Sequence, residues 1–331
     1  MYLNDKNTKK YLFYWLVTMF ILVSGIIIVG GLTRLTDSGL SITEWELFKG
    51  FLPPLSSAEW IYYFDLYKKI PEYKFQNFNM SLDEFKIIFW WEWAHRFLGR
   101  LIGIFFLIPL IYFTLKLGLK KTISFHIIFL LICLQGVIGW FMVSSGLINS
   151  LDVSHFRLSL HLLTAFIILS LILWQILKVK NLNEKRSQFI RFNLPSLFLM
   201  TIYLQIIIGA FVSGMDAGKI YNTWPLMGSS YFPDDSKIKD FLDVTFLDDP
   251  SLVQFIHRNL AYLIVLVYLY LFFLIFNKEN RVFRMPILIV GLSLIIQICL
   301  GVFTILSGVK IIYASLHQIN SILIILSTLY L

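Results

Sequence analysis

The stretch "WWEWAHRFLGRLIG", Trp90–Gly103, decides how this chain is read. It opens an apolar run that ends near Leu117, long enough to cross a bilayer as a helix. The mouth of that run carries Glu92, His95, Arg96 and Arg100. Ionisable groups at a membrane entrance are costly to desolvate, so they face protein and serve a function there. What Glu92 and His95 hold is therefore the question the sequence poses.

The rest of the chain sets the class. Of 331 residues, 58% are hydrophobic and 15% charged, and the mean hydropathy is +0.75. The apolar residues fall into eight blocks, about 11–33, 89–117, 124–145, 155–177, 193–214, 253–276, 285–306 and 311–331. Membrane strands would be half as long and alternate in polarity. The expected fold is an all-α, polytopic membrane protein with eight transmembrane helices. The first block is longer than a signal-peptide core and no A-x-A site follows it. Too few residues precede it for a mitochondrial transit peptide, so a bacterial inner (plasma) membrane is expected.

Charge gives the orientation. The net charge of +8 reflects Lys6, Lys9 and Lys10 and the short connections after blocks two, four and six. Those connections hold Lys116, Lys120 and Lys121, then Lys178, Lys180, Lys185, Arg186 and Arg191, then Lys278, Arg281 and Arg284. By the positive-inside rule these segments and both termini are cytoplasmic, and the long connections 34–88 and 215–252 lie outside. Nucleic acid is not an expected partner. Cys133 and Cys299 both fall within spans, which argues against a disulfide framework.

The chain also repeats itself. "DSGLSITEWELFKGFLPP" from Asp37 aligns with "DAGKIYNTWPLMGSSYFP" from Asp216, and "HRFLGRLIG" from His95 with "HRNLAYLIV" from His257. "QGVIGWFMVSSG" from Gln135 aligns with "QICLGVFTILSG" from Gln297, and the "SLH" ending at His161 with that ending at His317. The expected organisation is two pseudo-symmetric four-helix bundles, residues 1–177 and 193–331, joined by a cytoplasmic basic linker, 178–192. Both run in the same direction across the membrane, a parallel rather than an inverted repeat.

Four of the six histidines are the repeated ones. His95 and His257 open the second and sixth spans, and His161 and His317 lie about two turns into the fourth and eighth. Two imidazoles at matched depth on two helices of a bundle suit bis-histidine haem ligation. Arg96 and Arg258 follow the first histidine of each pair, Arg157 precedes His161 by one turn, and Arg34 ends the first span. These arginines could neutralise haem propionates. The bland alternative is that each histidine is polar glue between helices. Zinc fits less well, for the outer face offers neither cysteines nor paired carboxylates for it. His126 has no counterpart and reads as structural, and His155, about 240° around the helix from His161, as interfacial.

The halves differ at one telling place: Glu92, one turn before His95, is matched by Gln254 before His257. A carboxylate beside one haem site and a neutral amide beside the other suggest one reactive site and one electron-transfer or structural site. N-terminal helix stabilisation is the competing account of Glu92. However, the capping box "SLDE" of Ser81 and Glu84 puts the helix start well before it. The aromatic stretch "SAEWIYYFDLYKKI", Ser57–Ile70, suits either a helix at the interface that caps the first half or an ordinary aromatic belt.

At these residues the chain resembles the haem A synthase family. The resemblance runs through "GGLTRLTDSGLSITEW", "WWEWAHRFLGR", "GWFMVSSGL", "RLSLHL", "NTWPLMG", "QFIHR" and "SLHQ" and covers nearly the whole length. It implies an eight-span oxidoreductase that converts the C8 methyl of haem O, its substrate, into the formyl group of haem A, its product. It further implies that His95 and His161 flank the substrate haem, that His257 and His317 ligate a haem b in the C-terminal half, and that Glu92 is the catalytic acid. Some members carry a cysteine pair in the first outer loop. This chain has none and resembles the branch that lacks it.

The chemistry agrees with the residues. Oxidation of an unactivated methyl needs a redox centre, and a carboxylate could stabilise developing positive charge or take a proton from water. Two other classes compete: a dihaem b-type electron-transfer cytochrome without its own substrate, and a haem transporter. Expected partners are the lipid bilayer, a haem O synthase and an electron acceptor or donor, with a homo-oligomer left open.

Overall fold

The computed structural model describes residues 5–46, 49–147, 151–180, 194–277 and 281–331. Most of the expected linker 178–192, with Lys185, Arg186 and Arg191, lies outside the described residues, as does Lys278. Among the described residues the secondary structure is helical, with no β-strand. The helices are α1 (Lys6–Leu35), α2 (Ser57–Tyr67), α3 (Pro71–Phe75), α4 (Leu82–Leu117) and α5 (Leu119–Gly146). They continue with α6 (His155–Val179), α7 (Leu194–Gly214), α8 (Pro250–Asn277), α9 (Arg281–Leu306) and α10 (Ile311–Tyr330). Eight of them, all but α2 and α3, are long and apolar enough to cross a membrane.

The helices α1 and α4 outrun their apolar blocks, and a polar cap sets the start of each. Asp5 caps α1 by accepting from the Asn7 amide at 3.0 Å. Ser81 and Glu84 form the capping box expected from sequence, so α4 begins at Leu82, two turns before its apolar run. At 36 residues α4 is about 54 Å long, well beyond a hydrocarbon core of roughly 30 Å. Its surplus turns join the long connection. Gly118, at φ +83°, ends α4 and lets the chain reverse into α5.

By contacts the chain divides into two compact units, one of Met1–Arg157 with Thr164–Lys180, the other of Leu158–Leu163 with Asn181–Leu331. In the first, α4 packs on α1 and on α5. Trp15 of α1 sits among Phe106, Phe113 and Phe125 at ring separations of 4.9, 5.4 and 5.5 Å. Its indole N–H is satisfied by the Phe105 carbonyl at 3.1 Å. In the second unit α7, α8, α9 and α10 each pack on the next, and α10 closes back on α7.

The long connection after α1 is a folded cap. Leu40, Ile42, Phe64, Tyr67 and Ile70 form one buried cluster with Phe85, Ile88 and Phe89 from the surplus turns of α4. The stretch Ser57–Ile70 therefore supplies a helix whose Phe64 and Tyr67 are core, while Ile61 and Tyr62 are exposed.

The repeat is visible in the backbone. Asp37 and Asp216, aligned by sequence, are both left-handed, at φ 47° and 52°. Among residues with a side chain, aspartate tolerates that conformation comparatively well.

Candidate functional site

The repeated positions build one device twice. In the first unit α4 presents Glu92 and, one turn later, Arg96 to the chain that follows α1. Glu92 is only 3% exposed. Its Oε2 accepts from the Ser41 hydroxyl and the Ile42 amide, each at 2.7 Å, and its Oε1 from Arg96 at 2.6 Å. Arg96 also donates to the Ile42 carbonyl at 2.8 Å and the Glu44 carbonyl at 3.1 Å. Arg100, a further turn on, donates to the Glu46 carbonyl at 2.9 Å.

In the second unit α8 does the same with Gln254 and Arg258. Arg258 donates to the carbonyls of Tyr221 at 3.0 Å and Thr223 at 2.9 Å, the positions aligned with Ile42 and Glu44. It also reaches the Leu226 carbonyl at 3.2 Å. Gln254 donates to the Tyr221 carbonyl at 3.1 Å. The clamps differ in sense: Glu92 accepts from the clamped backbone, Gln254 donates to it.

Next to each clamp stands a histidine. In the second unit the rings of His257 and His317, from α8 and α10, lie 6.4 Å apart between centroids at an interplanar angle of 67°. A metal bonded to both at the usual distance of about 2 Å sets two imidazole centroids roughly 6 Å apart. Among the described residues no three His, Cys, Asp or Glu side chains gather as a metal-ion site. Two imidazoles alone suit a group that brings its own equatorial ligands, as haem does. Two buried atoms also fit: His257 Nδ1 and Arg258 Nε have no hydrogen-bond partner among the described residues. One could serve the ring's orientation and the other an anionic edge.

In the first unit the His95 ring lies against α1. A Cβ at Gly30 would stand 2.8 Å from its Cε1, so only glycine leaves room for it there. His161 lies on α6, six residues after its start, as His317 does on α10, and belongs by contacts to the second unit.

The remaining expected site residues fall as follows. Arg34 pairs with Asp37 at 2.8 Å and with Asp152 at 3.6 Å. Arg157 donates to the Phe141 carbonyl at 2.6 Å, with its guanidinium 3.7 Å from the Phe141 ring. His126 bonds within its own neighbourhood, to the Thr122 carbonyl at 3.0 Å and the Thr114 hydroxyl at 3.4 Å.

The cap adds a buried polar group outside the spans. Tyr67 donates to Glu72 at 2.7 Å, and Asn77 donates to Tyr67 at 2.7 Å. Burial pushes the Glu72 carboxyl up to about 8, against the lowering effect of the Tyr67 hydrogen bond. Burial likewise holds the Tyr67 phenol above its ordinary range.

Residues 13–329 match the model of the COX15-CtaA family, described as cytochrome oxidase assembly protein. The chain belongs to that family. Heme A synthase of Pelagibacter ubique (strain HTCC1062) is 50% identical to it over 335 residues, 99% of this chain and 97% of that one. Heme A synthase of Rickettsia bellii (strain RML369-C) is 44% identical, with 96% of each chain covered. Heme A synthase of Parvibaculum lavamentivorans is 40% identical over 94% of this chain and 90% of that one.

In this COX15-CtaA member the sequence singles out the histidines, Glu92 and the arginines as candidates, but not the groups that surround them. Ser41 and Ile42 carry no chemical signature that marks them as partners of Glu92. Gln205 and Gln297, whose amides lie beside His257 and His317, each stand four residues before a glycine, in "QIIIG" and "QICLG", a spacing that "QGVIG" from Gln135 repeats.

Proposed function

We propose that this chain is a haem A synthase, which oxidises the C8 methyl of haem O to a formyl group and supplies haem A to a terminal oxidase. The observation that carries the reading is the near-full-length match to bacterial proteins of that name. The setting proposed is a bacterial inner membrane, with both termini cytoplasmic and the haem sites toward the outer face. The positive-inside pattern supports this orientation.

The division of labour follows the two clamps. His257 and His317 would hold a resident haem b, which the 6.4 Å ring separation supports. His95 and His161 would flank the substrate haem. Among the described residues the Arg258 Nε–H meets no protein acceptor, which leaves it for a propionate. Arg34, Arg96 and Arg157 are the candidates on the substrate side, where a propionate would share them with the protein acceptors they already hold.

Bound haem supplies the redox chemistry that protein side chains lack. Turning a methyl group into a formyl group takes up one water and releases four protons and four electrons to an acceptor. Glu92, one turn from His95, is placed to stabilise positive charge at the methyl carbon or to accept a proton from attacking water at its carboxylate. Arg96 and the Ser41 hydroxyl fix that carboxylate, so it needs no reorientation during the reaction.

A second reading, a dihaem cytochrome without a substrate, draws on the clamp itself, since Glu92 holds its loop much as Gln254 does. Co-expression with a haem O source and chromatography of the extracted haems separates the two. Haem A in cells with the wild-type chain, and haem O alone with Glu92→Gln, supports the synthase. Haem O alone with the wild type supports the cytochrome.

A further inference from the structure

Ser41 meets Glu92 differently from every other partner of that carboxylate. The residue is 1% exposed, and its hydroxyl has three acceptors in reach. They are Glu92 Oε2 at 2.7 Å, the Ser38 carbonyl at 3.1 Å and the Ile88 carbonyl at 3.3 Å. A hydroxyl has one hydrogen to give. While Glu92 is ionised, that hydrogen belongs to the carboxylate, the nearest acceptor and the charged one.

Among the described residues the other partners of Glu92 are the Arg96 guanidinium on Oε1 and the Ile42 amide on Oε2. Both can only donate. If Glu92 takes up a proton, neither can receive the new O–H. The Ser41 oxygen can, because a hydroxyl accepts as well as donates. Its own hydrogen then turns to the Ser38 or the Ile88 carbonyl, already within hydrogen-bond distance. Carboxylate and carboxylic acid are thus both satisfied at one buried site, and no heavy atom has to move.

The repeat supplies a control. Ser41 aligns with Ile220, Ser38 with Ala217 and Glu92 with Gln254. Gln254 still holds its loop, by donating to the Tyr221 carbonyl at 3.1 Å. Clamping therefore needs neither the acid nor the hydroxyl. The first unit has both, and the second replaces both.

We propose that Ser41 is a positioning residue for proton transfer, which receives the hydrogen of protonated Glu92 and so makes that carboxylate a working base rather than a fixed charge. The inference rests on the catalytic reading of Glu92 given above and selects one of its two forms. In the step, a water O–H bond breaks and the Glu92 Oε2–H bond forms. The oxygen of that water bonds to the carbon being oxidised, and the electrons of the oxidation go to the acceptor. Without the hydroxyl, ionised Glu92 keeps a donor on each oxygen, whereas protonated Glu92 has no acceptor left. The loss therefore falls on the protonated form, and a buried donor left unsatisfied changes an equilibrium or a rate about 10–100-fold.

The test uses native membrane vesicles that contain the full-length chain, supplied with haem O in light and in heavy water. Chromatography follows the haem A formed. Ser41→Ala is expected to lower kcat about 10–100-fold. KM is expected to change little, and the solvent isotope effect to grow as proton transfer becomes the slow step. Ser41→Thr keeps the hydroxyl and is expected to recover most of the rate. Wild-type kcat in Ser41→Ala, an unchanged isotope effect, or a fall that Ser41→Thr does not recover would each overturn the proposal. If Ser41→Ala does not fold, Ser41→Cys takes its place with the same outcomes, a thiol being a weak hydrogen-bonding group. Glu92→Gln is the reference: if it makes haem A at the wild-type rate, the catalytic reading of Glu92 has failed; if it is inactive and Ser41→Ala matches wild type, only the role of Ser41 has.

Discussion

Glu92 and Arg96 are joined at 2.6 Å across one turn of α4, both largely buried, and together hold the Ser41–Glu44 backbone against that helix. Gln254 and Arg258 hold the Tyr221–Leu226 backbone against α8 at the aligned positions. The repeat thus survives as a hydrogen-bond pattern, and at the position before the histidine it departs by a carboxylate in place of an amide.

That departure separates two roles for Glu92. Glu92→Gln retains a side chain of the same shape, and Gln254 shows that an amide can serve such a clamp. It is expected to fold, bind haem and make no haem A. Glu92→Ala leaves Arg96 buried without its partner and is expected to lose about 3–5 kcal/mol of stability. Thermal unfolding in detergent, set beside haem chromatography, distinguishes the two variants.

Glu72 gives the cap a pH dependence. Its folded value of about 8 exceeds its ordinary 4.5, so the folded cap binds the extra proton. Its contribution is fully present below about 4.5 and is lost as pH rises through about 8. Hydrogen exchange in α2 and α3 is expected to quicken across that window in the wild type. In Glu72→Gln this dependence is expected to flatten.

Gly30 is a test of the His95 slot. Gly30→Ala places a Cβ 2.8 Å from His95 Cε1 and must displace the ring. It is expected to impair haem O binding and haem A output while leaving the low-spin haem spectrum in place. Gly25→Ala, on the same helix with open space around it, is the control. It is expected to be neutral or to stabilise α1 by up to about 1 kcal/mol.

The spans, the capping box at Ser81 and the approach of His257 to His317 are legible because each has a local signature: length, spacing or a capping residue. The clamps are not. Arg96 and Arg258 read as propionate ligands because their sequence neighbours are histidines, yet their backbone acceptors lie 52 or more and 32 or more residues away. A carbonyl that receives a guanidinium leaves no mark on residue type. The cap is half legible. The aromatic stretch Ser57–Ile70 promises a helix, but which rings are core depends on the surplus turns of α4, whose Phe85 and Phe89 meet them in tilted and edge-on contacts.

The paired imidazoles are tested most directly by the absorbance and electron paramagnetic resonance spectra of the purified, haem-loaded protein. A low-spin bis-histidine signal is expected in the wild type and in His95→Ala, and its loss in His257→Ala and in His317→Ala. The same low-spin signal in both C-terminal variants, or a wild-type protein with no Soret band after expression with ample haem, would contradict it.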